Sequence, residues 1–257
     1  MKYKFFLGGH DAEMLEIKNI LQSKNIHFVD KDLKWGAKLS EYDEEIKKLS
    51  QDEIPVFIEL TEDKPFPTNA IIIDHHGKKS GKNKKTSIDQ VADLLKIELN
   101  RHQQLISIND RSHIRGMREF GATEEEIQKI RSIDRQAQGV TKKDESLALK
   151  SINERSEVLG DDIIVINSLC ERSSVVWDFI CGKYLHTVIY SPDGNFHYSG
   201  PGNIVKTLVE LFEKRQKKDP SIEFWYGGAL PDYGFVGSSI DFKKEEIVEV
   251  IKNSIQQ

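Results

Sequence analysis

The sequence predicts an α/β protein, with a parallel-sheet N-terminal domain followed by a smaller mixed α/β C-terminal domain. Three observations carry that expectation. Short apolar runs alternate with stretches of helical spacing over the first hundred residues, which is the order of a parallel sheet covered by helices. The run Ile71-Ile72-Ile73 is wholly β-branched and apolar, as suits the buried centre of such a sheet. A polar, weakly amphipathic stretch from about Lys142 to Val158 then precedes a second set of strands and helices.

Taken in order, Lys2 to Leu7 is the first strand, closed by Gly8-Gly9-His10-Asp11. The paired glycines let the backbone turn sharply into a helix. Met14, Leu15, Ile17, Ile20 and Leu21 give that helix its apolar face. Asp11 and Glu13 fall at its start, where the helix dipole favours negative charge. Ile26 to Val29 is a second strand, Glu41 to Ser50 a helix, and Ile54 to Leu60 a third strand that closes near Glu59 and Glu62. The fourth strand, Ile71 to Asp74, runs into His75-His76-Gly77. After a lysine-dense loop, Ser87 is expected to cap a helix bearing Ile88, Val91, Leu94, Leu95 and Leu99. Gln104 to Ile108 is expected as a fifth strand ending in Asn109-Asp110-Arg111-Ser112-His113. Thr123 and Glu126 stand in capping-box positions for a helix to about Ile133.

These spacings divide the chain into an N-terminal domain (1–140), a helical linker (141–160) and a C-terminal domain (161–257). In the last, Asp161-Asp162 opens the strand Ile163 to Ile166, and Ser173 to Ile180 is a helix. Thr187 to Tyr190 and Asn195 to Tyr198 form a hairpin across Ser191-Pro192-Asp193-Gly194. A helix from Asn203 to about Arg215, a strand at Glu223 to Tyr226, a glycine-rich turn from Gly227, and a helix from Glu245 to Ile255 complete the chain.

Composition narrows the function. With 38% hydrophobic and 31% charged residues, the chain is globular and well solvated, and no apolar run nears the ~20 residues of a membrane span. The N-terminal apolar stretch is too short for a signal peptide. Cys170 and Cys181, the two cysteines, sit among apolar residues and are expected to be reduced, which makes the cytoplasm the default compartment. A formal net charge of -5 argues against a surface built to grip long duplex nucleic acid.

The chemistry is expected at Asp74-His75-His76. In an open α/β sheet ligands gather at the carboxyl ends of strands, and a carboxylate beside neutral imidazoles is a first shell for a divalent cation. The plain alternative is a strand end whose polar residues face water. The lysine run in 77–85 is either a solvated loop or a means of drawing in a phosphate-bearing substrate.

Ile72-Ile73-Asp74-His75-His76 resembles the signature of the DHH phosphoesterase superfamily, whose members include nucleases, cyclic-dinucleotide phosphodiesterases and manganese pyrophosphatases. The segment Gly227-Gly228-Ala229-Leu230-Pro231-Asp232-Tyr233-Gly234-Phe235 is similar to the substrate loop of the associated C-terminal domain, the DHHA1 type. The resemblance implies two α/β domains with a cleft between them and one or two Mn²⁺ or Mg²⁺ ions, held here by Asp11, Glu13, Asp74, His75 and Asp110. His76 would steer or protonate the substrate, with Asp74 beside it as a second catalytic group. Arg111, His113 and Arg115, with the backbone of Gly227 and Gly228, would bind its phosphate. The departures from the family pattern are Leu7 where an upstream His stands, with His10 as a replacement from another direction, Glu13 for an Asp, Glu59 as the nearest second-motif acid, and Leu230 for a His.

The function this implies is a metal-dependent phosphoesterase acting on a small nucleotide, a short oligonucleotide or another phosphorylated metabolite. The rival is a degenerate, non-hydrolytic module that keeps the fold for binding or regulation. A nuclease of single-stranded ends is a third reading, disfavoured by the acidic balance. A homodimer is compatible with all three.

Overall fold

The computed structural model describes residues 2–76, 84–160, 162–239 and 243–255. Most of the lysine run, 77–83, lies outside the described residues, as does Asp161. The chain forms two α/β units, Met1–Gly139 and Val140–Gln257.

The first unit is built on a four-stranded, wholly parallel sheet of β1 (Lys2–Leu7), β2 (Phe28–Asp30), β3 (Glu53–Ile58) and β4 (Ile71–Ile73), in the order β2-β1-β3-β4. Side chains alternate across it, as the pleat demands. Phe5, Leu7, Val56 and Ile58 pack on one face with Met14, Ile17 and Leu21 of α1 (Ala12–Ser23) and with Ile88 and Val91 of α3 (Ser87–Leu95). Phe6 and Phe57 pack on the other face with Leu39, Tyr42 and Leu60. Leu39–Tyr42 is a 3-10 turn that runs into the short α2 (Asp43–Ile46), where a single helix over 41–50 is expected from the sequence. Tyr42 is fully buried, and its hydroxyl donates to the Leu7 carbonyl at 2.5 Å, tying this segment to the end of β1.

Two expectations for this unit are corrected. β4 is not central: it forms the edge of the described sheet, with Ile72 43% exposed. And 104–108 is not a strand. It lies inside α4 (Arg101–Glu119), which Asn100 caps by accepting the Gln103 N–H at 3.0 Å. α5 (Glu124–Ala137) begins at the Thr123–Glu126 capping box, as the sequence predicts.

In the second unit β5 (Ser156–Leu159), β6 (Ile163–Asn167), β7 (His186–Tyr190), β8 (Phe196–Pro201), β9 (Phe224–Ala229) and β10 (Tyr233–Ser238) form a mixed sheet ordered β5-β6-β7-β8-β10-β9. Only β6 and β7 pair in parallel. α8 (Gly202–Gln216) and α9 (Lys244–Ile255) supply Leu208, Phe212, Ile247 and Ile251 to a core with Val188, Phe196, Tyr198 and Val236. α6 (Lys142–Glu154) and α7 (Ser173–Ile180) pack with Ile164, Ile166 and Ile189 in a separate core. The stretch 141–160 thus holds α6 and the edge strand β5, with Ala148 fully buried. Gly227 and Gly228 lie within β9, opposite Phe235 and Gly234, rather than in a turn. Cys170 and Cys181 are free thiols. Among the described residues no helix is long and apolar enough to cross a membrane.

Candidate metal centre

The carboxyl ends of β1, β3 and β4 point the same way because the strands are parallel, and the polar residues that follow them gather there. β1 delivers Asp11, which is the N-cap of α1 and accepts the Met14 N–H at 2.8 Å. Glu13 follows in the first turn, 2% exposed, and accepts the Ile88 N–H of α3 at 2.9 Å through one oxygen. β3 delivers Glu59, whose left-handed φ of 52° turns the chain at the strand end. Glu59 accepts the Ser87 hydroxyl at 2.7 Å. Ser87 is therefore the first residue of α3 and a support for the site, while Thr86 is the N-cap. β4 delivers Asp74, His75 and His76.

Asp110 comes from the middle of α4, not from a strand end. The helix bends three residues later at His113, where φ is 52° and ψ −153°. Gly116 makes room for that bend, since a Cβ there would stand 2.3 Å from Ser112 Cβ.

His75 is the hub. It is 5% exposed, with Nε2 2.5 Å from Asp110 Oδ2 and Nδ1 3.6 Å from Glu59 Oε1 and 3.9 Å from Glu13 Oε2. Two sets of side chains, Glu59–His75–His76 and Glu13–His75–Asp110, each place their donor atoms within 4.8 Å of one another. His76 Nδ1 also lies 3.3 Å from Asp74 Oδ1, and the His76 backbone N–H donates to that same oxygen at 2.9 Å.

The site carries more negative charge than its own residues neutralise. Burial pushes the Asp11 carboxyl up to about 7, with the charges of Glu59, Asp110 and Asp134 adding to the rise. Glu13 is raised well above the usual carboxylate range, first by burial and then by Asp110 and Glu59. Burial alone would lower the His75 imidazole, but the nearby Asp110, Glu59 and Glu13 carboxylates outweigh it and lift it to about 11. Glu13 Oε2 and His75 Nδ1 are buried without a hydrogen-bond partner among the described residues, while Asp110 Oδ2 is paired with His75 Nε2. Buried polar atoms normally find partners, so an orphaned carboxylate oxygen 3.9 Å from an orphaned imidazole nitrogen fits a divalent cation.

A cavity of about 240 Å³ opens beside the cluster, lined by Glu59, Asp74 and His76 together with Gly9, Trp35, Gly36, Leu60 and Thr61. The remaining residues singled out in the sequence sit as follows. Arg111 donates to the Lys84 carbonyl at 3.2 Å and lies 3.7 Å from Asp89. His113 is held neutral, first by burial and then by the Arg131 charge, so it offers no positive charge to a phosphate. Arg115 is exposed and pairs with Glu119 at 3.0 Å. Gly227 and Gly228 belong to the second unit. His10, the replacement for the missing upstream His, lies 3.9 Å from the exposed Asp32.

One part of the site has no counterpart in the sequence reading. Asp134 of α5 accepts the Ala12 N–H of α1 at 3.1 Å and the Arg131 guanidinium at 2.6 Å, and Arg131 also donates to Asn109 at 3.0 Å. All three side chains are buried. In the sequence, Arg131 and Asp134 are an ordinary i,i+3 pair on a charged helix, and only the helical spacing of Ile127 and Ile130 hints that they share its buried side.

No protein-family model and no curated protein matches the sequence. Among solved structures the chain is similar to the crystal structure of CDC45 from Entamoeba histolytica, at 8% identity and a TM-score of 0.30, over 98% of this chain and 94% of that one. A likeness that loose carries no argument about the reaction, which rests on the residues above.

Proposed function

We propose that the first unit binds one or two divalent cations, Mn²⁺ or Mg²⁺, and hydrolyses a phosphate ester of a small nucleotide, a short oligonucleotide or another phosphorylated metabolite. The observation that carries this reading is that the orphaned, buried Glu13 Oε2 and His75 Nδ1 stand beside the Asp110 carboxylate in one set of possible ligands. Glu13, His75 and Asp110 would hold one cation, with Asp11, Glu59 and Asp74 as the carboxylates for the rest of the shell and for a second cation, and His76 just outside it. A cation bound there supplies a water of lowered pKa and positive charge for the phosphoryl oxygens.

The chain's own residues do the rest. Asp74 fixes the His76 ring through Nδ1, which orients the other nitrogen, Nε2, for proton transfer. In its protonated form His76 gives the Nε2 proton to the leaving oxygen, a step of the kind that contributes about 10²- to 10⁴-fold. Ser87 holds Glu59, and the Ile88 amide holds Glu13, so both carboxylates are oriented before substrate arrives. The second unit, with Gly227 and Gly228, is assigned to substrate recognition. Arg111 remains a candidate for substrate phosphate, because its guanidinium fork matches phosphate oxygens.

The rival reading, a binding module without hydrolysis, draws on Leu7, which is 1% exposed in the core and offers no donor where the family places a His. The two separate in one assay. Purified protein with Mn²⁺ should turn over bis-p-nitrophenyl phosphate, and Asp74→Asn should lower the rate by about 100-fold or more. Cation binding without turnover on any phosphate ester decides for the module. No cation binding at all removes both readings.

A further inference from the structure

We propose that Trp35 is a stacking face for a planar ring carried by the substrate, so that the site takes nucleotides ahead of ring-free phosphates. This rests on the phosphoester reading of the same site and narrows its substrate class.

Trp35 is 81% exposed. Tryptophan is highly buried on average, and leaving this much apolar ring in water forgoes a large stabilisation. The exposed ring is also not at an arbitrary place. It lines the same cavity as Glu59, Asp74 and His76, so an aromatic side chain and the polar cluster border one space. Leu60 and the side-chain-free Gly36 supply further apolar lining.

The backbone that carries the indole is held where it is. Just after it, the Ala37 N–H donates to the Lys34 carbonyl at 3.1 Å and closes a turn around it. The Thr61 N–H donates to the Ala37 carbonyl at 2.7 Å, and the Leu39 N–H to the Thr61 carbonyl at 3.0 Å. These bonds fasten the Trp35 segment to the residues that follow β3, directly after Glu59. With the backbone fixed in advance, only the side-chain torsions of Trp35 remain to be ordered when a ring settles on it. The cavity volume of about 240 Å³ falls below the ~300–1,000 Å³ of pockets for drug-sized ligands. It suits the phosphate end of a nucleotide, at the polar wall, with the base laid outward on the exposed Trp35.

The test compares two ligands that share a phosphate and a pentose but differ in the ring. Adenosine 5′-monophosphate and ribose 5-phosphate are titrated calorimetrically into the full chain with Mg²⁺. The wild type should bind the nucleotide more tightly by about 5- to 150-fold, the span of a single base–aromatic stack. Trp35→Ala should bring the two affinities together by weakening the nucleotide alone, and Trp35→Phe should keep most of the preference. The high exposure of Trp35 lets both variants fold, which unchanged thermal unfolding verifies. Equal affinities in the wild type, or an undiminished preference in Trp35→Ala, overturns the proposal, as does a change in self-association as the sole effect. Failure of hydrolysis with the preference intact counts against the phosphoesterase reading and not against this one.

Discussion

Asp134 accepts the backbone N–H of Ala12, a residue 122 positions earlier in the chain. That bond, at 3.1 Å, fixes the start of α1 to α5. Asp11 and Glu13 flank Ala12, so their carboxylates are placed by a residue that touches neither the cavity nor the donor sets. Asp134 is in turn matched by Arg131, and neither charge has water to fall back on.

Removing that carboxylate should be costly. Asp134→Ala removes a carboxylate from the buried Arg131 guanidinium and the acceptor from the Ala12 N–H, a change expected to cost about 3–5 kcal/mol. Asp134→Asn keeps an acceptor and should cost less. Urea unfolding of both variants checks this; a loss below about 1 kcal/mol for Asp134→Ala would show that the network is not a structural tie.

Cation binding should appear as stability. A ligand that binds only the folded chain, present at 100 times its dissociation constant, adds about 2.7 kcal/mol. Mn²⁺ should therefore raise the unfolding temperature of the wild type, and should do much less for Glu13→Gln or Asp110→Asn. Absence of any Mn²⁺-dependent shift in the wild type at millimolar concentration would falsify the cation reading.

Gly8 admits no side chain. A Cβ there would stand 2.6 Å from the Glu59 carbonyl oxygen and 2.8 Å from that of Ile58. Gly8→Ala must push apart the ends of β1 and β3, at the typical overpacking cost of about 1–3 kcal/mol. Because Glu59 is displaced with the backbone, Mn²⁺ affinity should fall in the same variant, as read by calorimetric titration. Loss of stability with unchanged affinity would separate the strand ends from the site.

The second unit should be sensitive to acid through His197. Burial lowers its imidazole to about 4 against a small opposing effect of Asp193. Below the ordinary histidine value of about 6.5, the unfolded chain takes up a proton that the folded chain does not. Stability is therefore lost as pH falls from about 6.5, and the loss levels off below about 4, where folded His197 protonates too. Thermal unfolding across that window should slope less steeply in His197→Gln than in the wild type. Parallel curves would assign the acid sensitivity to other groups.

The class of fold and most elements were legible in the residues, because long periodic stretches such as α1 and α8 and well-capped helices such as α5 carry their own signals. Short apolar runs do not. Gln104 to Ile108 reads equally as strand or helix in isolation, and the decisive cue was Asn100 with Gln103, a capping box two residues outside the run. Ile71 to Ile73 has the composition of a central strand, yet edge or centre is decided by what pairs on its far side, which three residues cannot encode. At the site, Asp74, His75 and His76 are visible because they are adjacent. Asp134 is not, since its partners lie 122 positions away in α1 and, in the case of Arg131, look like surface neighbours.

The bend at His113 makes α4 two levers rather than one. The half before it is fastened to the start of α3, where the Thr86 hydroxyl donates to Ser107 at 3.1 Å and Ser107 donates to Asp89 at 2.9 Å, and to the middle of α5, where Arg131 donates to Asn109 at 3.0 Å. The half beyond it answers to α5, through Arg118 and Glu124 at 2.8 Å. A drift in the loop joining α4 to α5, or a residue gained there over evolutionary time, can be taken up at the hinge without dragging Asp110 from its post. The joint thus separates the half of the helix that carries Asp110 from change in the other.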